Sequence, residues 1–159
     1  MSFPDRVYTT EEVKIAKALV DQGYKHTLTI EGSFEFKRKV NQALDLIKEA
    51  RYYDFFVAHI REIKEIDGIT QLRETEVAIW AGKFAVENPV DAASLFIQKA
   101  HHMKEYLGGE LYYGGNAEKR SVDKRMEFLQ ALKEKTKDSK VKEECERLLE
   151  MWKDSSFAF

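Results

Sequence analysis

Cysteine, proline and glycine are scarce in this chain of 159 residues. The single cysteine, Cys145, excludes an internal disulfide, and the two prolines leave long stretches free to form uninterrupted helices. Four of the eight glycines fall in one short segment, residues 108–115. A sequence with so few helix breakers favours an all-helical fold.

Long apolar runs and an excess of one charge are also absent. No run of about eighteen apolar residues occurs, and the chain start lacks the layout of a signal peptide. We therefore expect a cytoplasmic protein without a membrane partner. The net charge of -2 excludes a global field that attracts nucleic acid, although a local basic patch is allowed. The preference for lysine and glutamate over glutamine and asparagine indicates a thermophile-like composition.

Apolar residues make up 43% of the chain, which excludes disorder and provides one core at this length. We predict a single all-helical domain over residues 1–159, an irregular bundle of about six or seven helices. Residues 1–8 are expected to be a mobile lead-in. The last residues, 155–159, are expected to form a short tail with two aromatic side chains.

The predicted bundle is centred on an antiparallel helical hairpin from Thr70 to Leu107. Small residues recur there at helical spacing: Ala78, Ala81, Gly82 and Ala85. Such a flat edge lets a neighbouring helix approach closely. Asn88 is a strong N-cap candidate and Pro89 suits the first turn of the second helix. The second helix then presents an apolar face of Ala93, Phe96, Ala100, Met103 and Leu107.

Two stretches have more than one interpretation. Residues 34–66 form either one long helix or two helices that meet at a bend near Tyr52, and we slightly prefer the bend. Residues 26–31, where Leu28 and Ile30 alternate with threonines, are strand-like. Because a lone strand cannot satisfy its own backbone, this stretch is either an extended connector or half of an intermolecular pair.

Capping residues predict the other helix starts. Ser33 can cap a helix that begins at Phe34, and Asn116 can cap the helix after the glycine-rich segment. Asp138 or Ser139 can start the last helix, which places Cys145 on its apolar face. We interpret this cysteine as a small buried hydrophobe, because a catalytic thiol needs an electropositive, accessible setting.

The glycine-rich segment is the main candidate binding site. Tyr112 and Tyr113 are placed to stack on a base, and the following helix start offers free N–H groups to an anion. Asn116, Lys119 and Arg120 complete the candidate set. The segment lacks the Gly-Lys-Ser/Thr sequence of a P-loop. The alternative is a plain connector whose tyrosines fold onto the bundle.

Histidine and glutamate pairs form a second, metal-binding candidate: His59, Glu62, Glu76, His102 and Glu105. The two pairs, His59 with Glu62 and His102 with Glu105, have the order His-x-x-Glu, whereas metal-binding bundles use Glu-x-x-His. Surface pairing at helical spacing, or a hydrogen-bonded core histidine, explains the same residues. No cofactor is therefore expected.

Four neighbouring aromatic residues point in different directions if they lie on one helix. Tyr52, Tyr53, Phe55 and Phe56 spread around the helix circumference, so they cannot all face one core. They are buried either in a homo-oligomer, which we prefer, or by another part of the chain.

The run from Phe84 to Ala100 resembles the helical hairpin of the HEPN nucleotide-binding and ribonuclease domains. Those domains are recognised by an arginine and a histidine a few residues apart on one helix. The nearest pair here, Arg51 and His59, has seven residues between them, so nuclease activity is not implied. Most of the chain also resembles a small archaeal family of uncharacterised all-helical bundle proteins, which implies a bundle fold and no particular activity.

Together these features predict a non-enzymatic helical interaction or scaffold protein that forms a homo-oligomer or binds a protein partner. The alternative is a protein that binds or processes a nucleotide or RNA through the glycine- and tyrosine-rich loop and the basic helix start. A bundle metalloprotein is a third class.

Overall fold

The computed structural model describes residues 10–23, 28–111 and 114–156. The expected lead-in and the aromatic positions of the tail lie outside these ranges, as do Tyr112 and Tyr113. The described chain forms α1 Thr10–Gly23, β1 Thr29–Glu31, α2 Phe34–Glu49, α3 Tyr53–His59, β2 Glu62–Ile66, β3 Gln71–Arg73, β4 Ala78–Gly82, α4 Pro89–Leu107, α5 Gly115–Lys135 and α6 Ser139–Ser156. Two 3-10 turns, Glu74–Glu76 and Lys83–Val86, flank β4.

The four strands form one mixed sheet, so the all-helical prediction is wrong. Their spatial order is β1-β2-β4-β3, with β1, β2 and β4 mutually parallel and β3 antiparallel to β4. Ile63 lies opposite Ile30 on one side and Ile79 on the other. Leu72 extends this apolar row to the far edge of the sheet. Residues 29–31 of the strand-like stretch therefore pair with β2 of the same chain and are not an unpaired connector.

The first half of the predicted helical hairpin is the central strand β4. Its small residues Ala78, Ala81 and Gly82 are buried. A strand that is buried on both faces does not show the alternation of apolar and polar residues by which strands are recognised in a sequence. The small residues of this strand also have a spacing that fits one face of a helix, so the sequence pattern predicted a helix. Gly82 is needed for close approach in a sheet rather than a helix. A methyl group at its Cβ position would lie 2.2 Å from the carbonyl oxygen of Gly68.

The second half of the hairpin is confirmed as helix α4. Asn88 caps it, since its Oδ1 accepts hydrogen bonds from the backbone N–H of Val90 at 3.0 Å and Asp91 at 3.1 Å. The helix packs against α1, α2, α3, α5 and α6. Its predicted apolar face is buried, except for a partly buried Leu107.

The bend near Tyr52 is confirmed, but both helical interpretations of residues 34–66 are wrong in their last part, because residues 62–66 form strand β2. Helix α2 begins at the predicted cap, where Ser33 Oγ accepts from the N–H of Phe36 at 3.1 Å. It ends in a Schellman motif, in which the N–H groups of Tyr52 and Arg51 donate to Ile47 and Lys48 at 2.9 and 3.0 Å. Arg51 takes the left-handed position of this motif, with φ 64°.

The chain itself covers part of the aromatic surface after this bend, and burial of the remainder in an oligomer stays a prediction. Phe56 is fully buried, and the ring of Tyr52 meets Phe128 edge-on at 5.3 Å. Tyr53 and Phe55 are half-buried against the same core.

No helix among the described residues is long and apolar enough to cross a bilayer.

Candidate functional site

The predicted anion site at the start of α5 is only partly described. Helix α5 begins at Gly115, two residues earlier than a cap at Asn116 predicts, so Asn116 lies inside its first turn and is not the cap. Lys119 pairs with Asp123 at 3.5 Å. Arg120 Nε donates to Glu105 Oε2 at 2.8 Å, and Arg120 Nη2 donates to the carbonyl oxygen of Leu111 at 2.8 Å. Arg120 therefore ties α5 to α4 and to the segment after it, whereas the Lys119 pair lies within α5.

The proposed metal ligands lie on separate elements. His59 ends α3, Glu62 begins β2, and Glu76 is exposed and pairs with Arg73 at 3.1 Å. Only His102 and Glu105 share an element, helix α4, and Glu105 faces Arg120. Among residues 10–23, 28–111 and 114–156, no three histidine, cysteine or acidic side chains form a metal-binding group.

Cys145 is buried on α6, as predicted. Burial raises the pKa of its thiol to about 11, which keeps it protonated near neutral pH.

Large apolar side chains are exposed at the carboxyl edge of the parallel strands. Each parallel strand is followed within three residues by one: Phe34 after β1, Ile69 after β2 and Phe84 after β4. Their exposed fractions are 82%, 89% and 78%. Because the carboxyl ends of parallel strands lie at the same edge of a sheet, these three residues follow one edge, which we call the apolar edge.

Hydrogen bonds hold the turns of the apolar edge. The N–H of Ser33 donates to Glu65 Oε1 at 2.9 Å, which fixes the turn after β1 to strand β2. The N–H of Gly82 donates to Thr70 Oγ1 at 3.0 Å, which fixes the turn after β2 to the end of β4. The exposed side chains are therefore presented from an ordered backbone.

Charges of both signs surround the apolar edge. Arg38 pairs with Glu35, and Lys39 pairs with Glu87 at 2.6 Å. A shallow hollow of about 210 Å³ lies among these groups. Its lining includes Phe36, Phe84, Glu65 and Lys83.

A separate set of titratable groups is buried where α4 meets the 3-10 turn before β4. Burial raises the pKa of Glu74 to about 7 and lowers the pKa of His102 to about 4. Burial also lowers the pKa of Lys99, against the attraction of Glu118 and Glu74. Perturbed groups of this kind occur both in functional sites and in structural clusters.

The apolar edge was missed by the sequence prediction. Phe34 is in the predicted helix but its exposure is not predicted, and Phe84 is predicted to lie in the first helix of the hairpin. The sequence contains one relevant indication, since each large apolar residue directly follows a turn residue or a lysine: Ser33, Gly68 and Lys83. Only the pairing of the strands shows that they share an edge.

Comparison of the chain with protein-family models, with curated proteins and with solved structures finds no match. The resemblance to an archaeal family therefore stays a prediction, and its all-helical part is contradicted by the sheet.

Proposed function

We propose that this protein is a non-enzymatic scaffold that self-associates through the apolar edge. The observation that supports this function is the exposure of Phe34, Ile69 and Phe84, at least 78% each, at the carboxyl edge of three adjacent parallel strands. Exposed apolar groups concentrated in one place mark interaction surfaces, whereas isolated ones do not. Aromatic side chains at the centre and charges at the rim are typical of protein interfaces.

The charge pattern favours a second copy of the chain as the partner. A two-fold interface brings the same surface of each copy together, so a rim of one sign would repel itself. The rim here alternates, with Arg38 and Lys39 beside Glu35 and Glu87. Rotation by a two-fold axis can place the basic groups of one copy against the acidic groups of the other.

Light scattering after size-exclusion chromatography tests this function. We expect the wild-type protein to form a dimer at micromolar concentration, and Phe34→Ser with Phe84→Ser to give a monomer. These side chains are exposed, so their replacement should leave the helical circular dichroism spectrum unchanged.

A matched control is Ile15→Ser with Leu111→Ser. These apolar residues are also exposed, by 48% and 60%, but they lie on α1 and after α4, outside the apolar edge. The control should keep the mass of the wild type. A monomeric wild type, or equal dissociation of both double variants, would contradict the proposal.

We further propose a cytoplasmic location. The support is compositional, from the single cysteine and the balanced charge. Detection of the protein in the soluble fraction of its own cells, separate from membrane and secreted fractions, tests this.

A further inference from the structure

Basic and imidazole side chains from three helices meet on a second surface. His59 ends α3, His101 and Lys104 lie on α4, and Arg120 and Lys124 lie on α5. We call this group the histidine–lysine cluster. Burial lowers the pKa of both imidazoles, and the charges of Lys104 and Lys124 lower them further. Both lysines therefore lie within electrostatic range of both rings.

The buried acid of the cluster is already engaged. Glu105 Oε2 accepts from Arg120 Nε at 2.8 Å; its Oε1 lies 3.0 Å from His101 Nε2, but the geometry of that contact is not that of a hydrogen bond. Lys104 is exposed and forms no ion pair within the described part of the chain. The cluster therefore keeps positive charge that no neighbouring acid neutralises.

A half-buried aromatic surface adjoins the cluster. Lys124 Nζ lies 4.8 Å from the centre of the Phe55 ring and 5.4 Å from that of Tyr52. The rings of Phe55 and His59 are 5.0 Å apart. Lys124 also lies 3.5 Å from Glu127, which is exposed at the rim. Aromatic rings beside cations are the combination that binds a nucleobase together with its phosphate.

We propose that the histidine–lysine cluster binds the phosphate of a nucleotide, either free or within single-stranded RNA, with the base against Phe55 and Tyr52. This site is independent of the apolar edge. It includes Arg120 from the sequence prediction, but replaces the glycine- and tyrosine-rich loop with residues of α3, α4 and α5.

The two histidines make binding dependent on pH. His59 Nδ1–H donates to the carbonyl of Phe55 at 2.8 Å, which leaves Nε2 to take up a proton. The groups that face the imidazoles are Lys104, Lys124, Arg120 and Glu105. The neighbouring cations disfavour protonation of the imidazoles, whereas a bound phosphate favours it. Affinity for phosphate should therefore rise about threefold or more as pH falls from about 8 to about 6.

Three probes distinguish the sources of the phosphate. Titration calorimetry measures the affinity of the protein for inorganic phosphate and for AMP. Fluorescence anisotropy measures its affinity for a labelled single-stranded RNA of about ten nucleotides. AMP should bind at least about threefold more tightly than phosphate, since only AMP has a base. RNA that binds about tenfold more tightly than AMP indicates a polynucleotide ligand, and equal affinities indicate a free nucleotide.

Charge reversal tests the location of the site. Lys104→Glu with Lys124→Glu should reduce affinity for AMP or RNA by about tenfold or more. Lys37→Glu with Lys142→Glu makes the same change of charge at exposed positions on α2 and α6, and should change affinity less than about twofold. Lys104→Glu alone, at an exposed position, provides a second test if the double variant unfolds.

The proposal is overturned if AMP binds no more tightly than phosphate, or if the two double variants lose affinity equally. Affinity that does not change with pH would remove the histidines from the site. A monomeric protein that still binds AMP through the cluster would reject the proposed self-association and leave this inference standing.

Discussion

Arg125 and Asp91 join α5 to the first turn of α4 through an ion pair of 2.8 Å between Nη2 and Oδ1. Arg125 is 4% exposed, and its guanidinium also donates to Ser94 and Gln98 at 2.9 and 2.7 Å. Its remaining face lies against the Trp152 ring, 4.3 Å from the ring centre. One buried arginine thus connects three helices, and each of its nitrogens has a partner.

Asp91→Asn should lower the free energy of unfolding by about 1–2 kcal/mol. It leaves the buried Arg125 charge without its counter-charge, and the cost is moderated because the Asp91 side chain is 37% exposed. Urea unfolding measures the change, with the exposed Asp45→Asn as a control that should stay within about 0.5 kcal/mol. A double-mutant cycle with Arg125→Met should give a coupling well above zero.

Arg51→Gly should raise the free energy of unfolding by about 0.5–1 kcal/mol. Arg51 is exposed and has φ 64°, a conformation that glycine adopts without the clash of a Cβ atom. The gain is reduced by the greater entropy of glycine in the unfolded chain. The same exchange at Lys48, inside helix α2, should instead destabilise by about 1 kcal/mol. Thermal unfolding of both variants shows whether the signs differ.

Gly82→Ala should destabilise the protein by about 2–4 kcal/mol. The added methyl group would lie 2.2 Å from the backbone oxygen of Gly68, so the turn that presents Ile69 must move. Gly115→Ala is the matched control, because no atom lies within 4 Å of its Cβ position in the first turn of α5. If self-association depends on the apolar edge, Gly82→Ala should also weaken the dimer. An unchanged unfolding midpoint would show that the turn yields easily.

Glu74→Gln should stabilise the protein more at pH 8 than at about pH 5, by about 1 kcal/mol after allowance for solvent exposure. Because the pKa of Glu74 is raised from 4.5 to about 7, its contribution to the stability of the folded state is fully present below pH 4.5 and is lost as pH rises through 7. The lowered pKa of His102, about 4, gives stability that is complete above 6.5 and is lost as pH falls through 4. The two effects oppose each other between these limits.

His102→Gln should show the reverse pH dependence. Its free energy of unfolding, relative to that of the wild type, should be higher at acid pH than at pH 8. Urea unfolding of the wild type and both variants at several pH values measures the two differences. Parallel pH profiles for all three proteins would mean that neither group is perturbed by burial.

Local features were predictable from the sequence because each depends on atoms a few residues apart. The caps at Ser33, Asn88 and Asp138 require one side-chain oxygen to reach N–H groups two or three positions later. The buried face of α2 follows in the same way from helical spacing: Phe36, Val40, Ala43, Leu44 and Ile47.

The sheet was not predictable in this way. Ile60, Ile63 and Ile66 have a spacing of three that suits a helix, and Ala78, Ala81 and Gly82 do as well. Strand β2 forms because Ile63 meets Ile30 and Ile79, which are distant in the chain. For strands this short, pairing with remote partners outweighs local preference.

The amino-acid sequence alone determined the caps, the apolar faces of the helices and the absence of an internal disulfide, since these depend on composition and on neighbouring residues. Only the tertiary structure decided which distant residues lie together. Phe34, Ile69 and Phe84 share an edge because parallel strands align their ends, and His59, His101 and Lys124 share a surface because α3, α4 and α5 pack together. Both surfaces arise from long-range contacts, which no local pattern records.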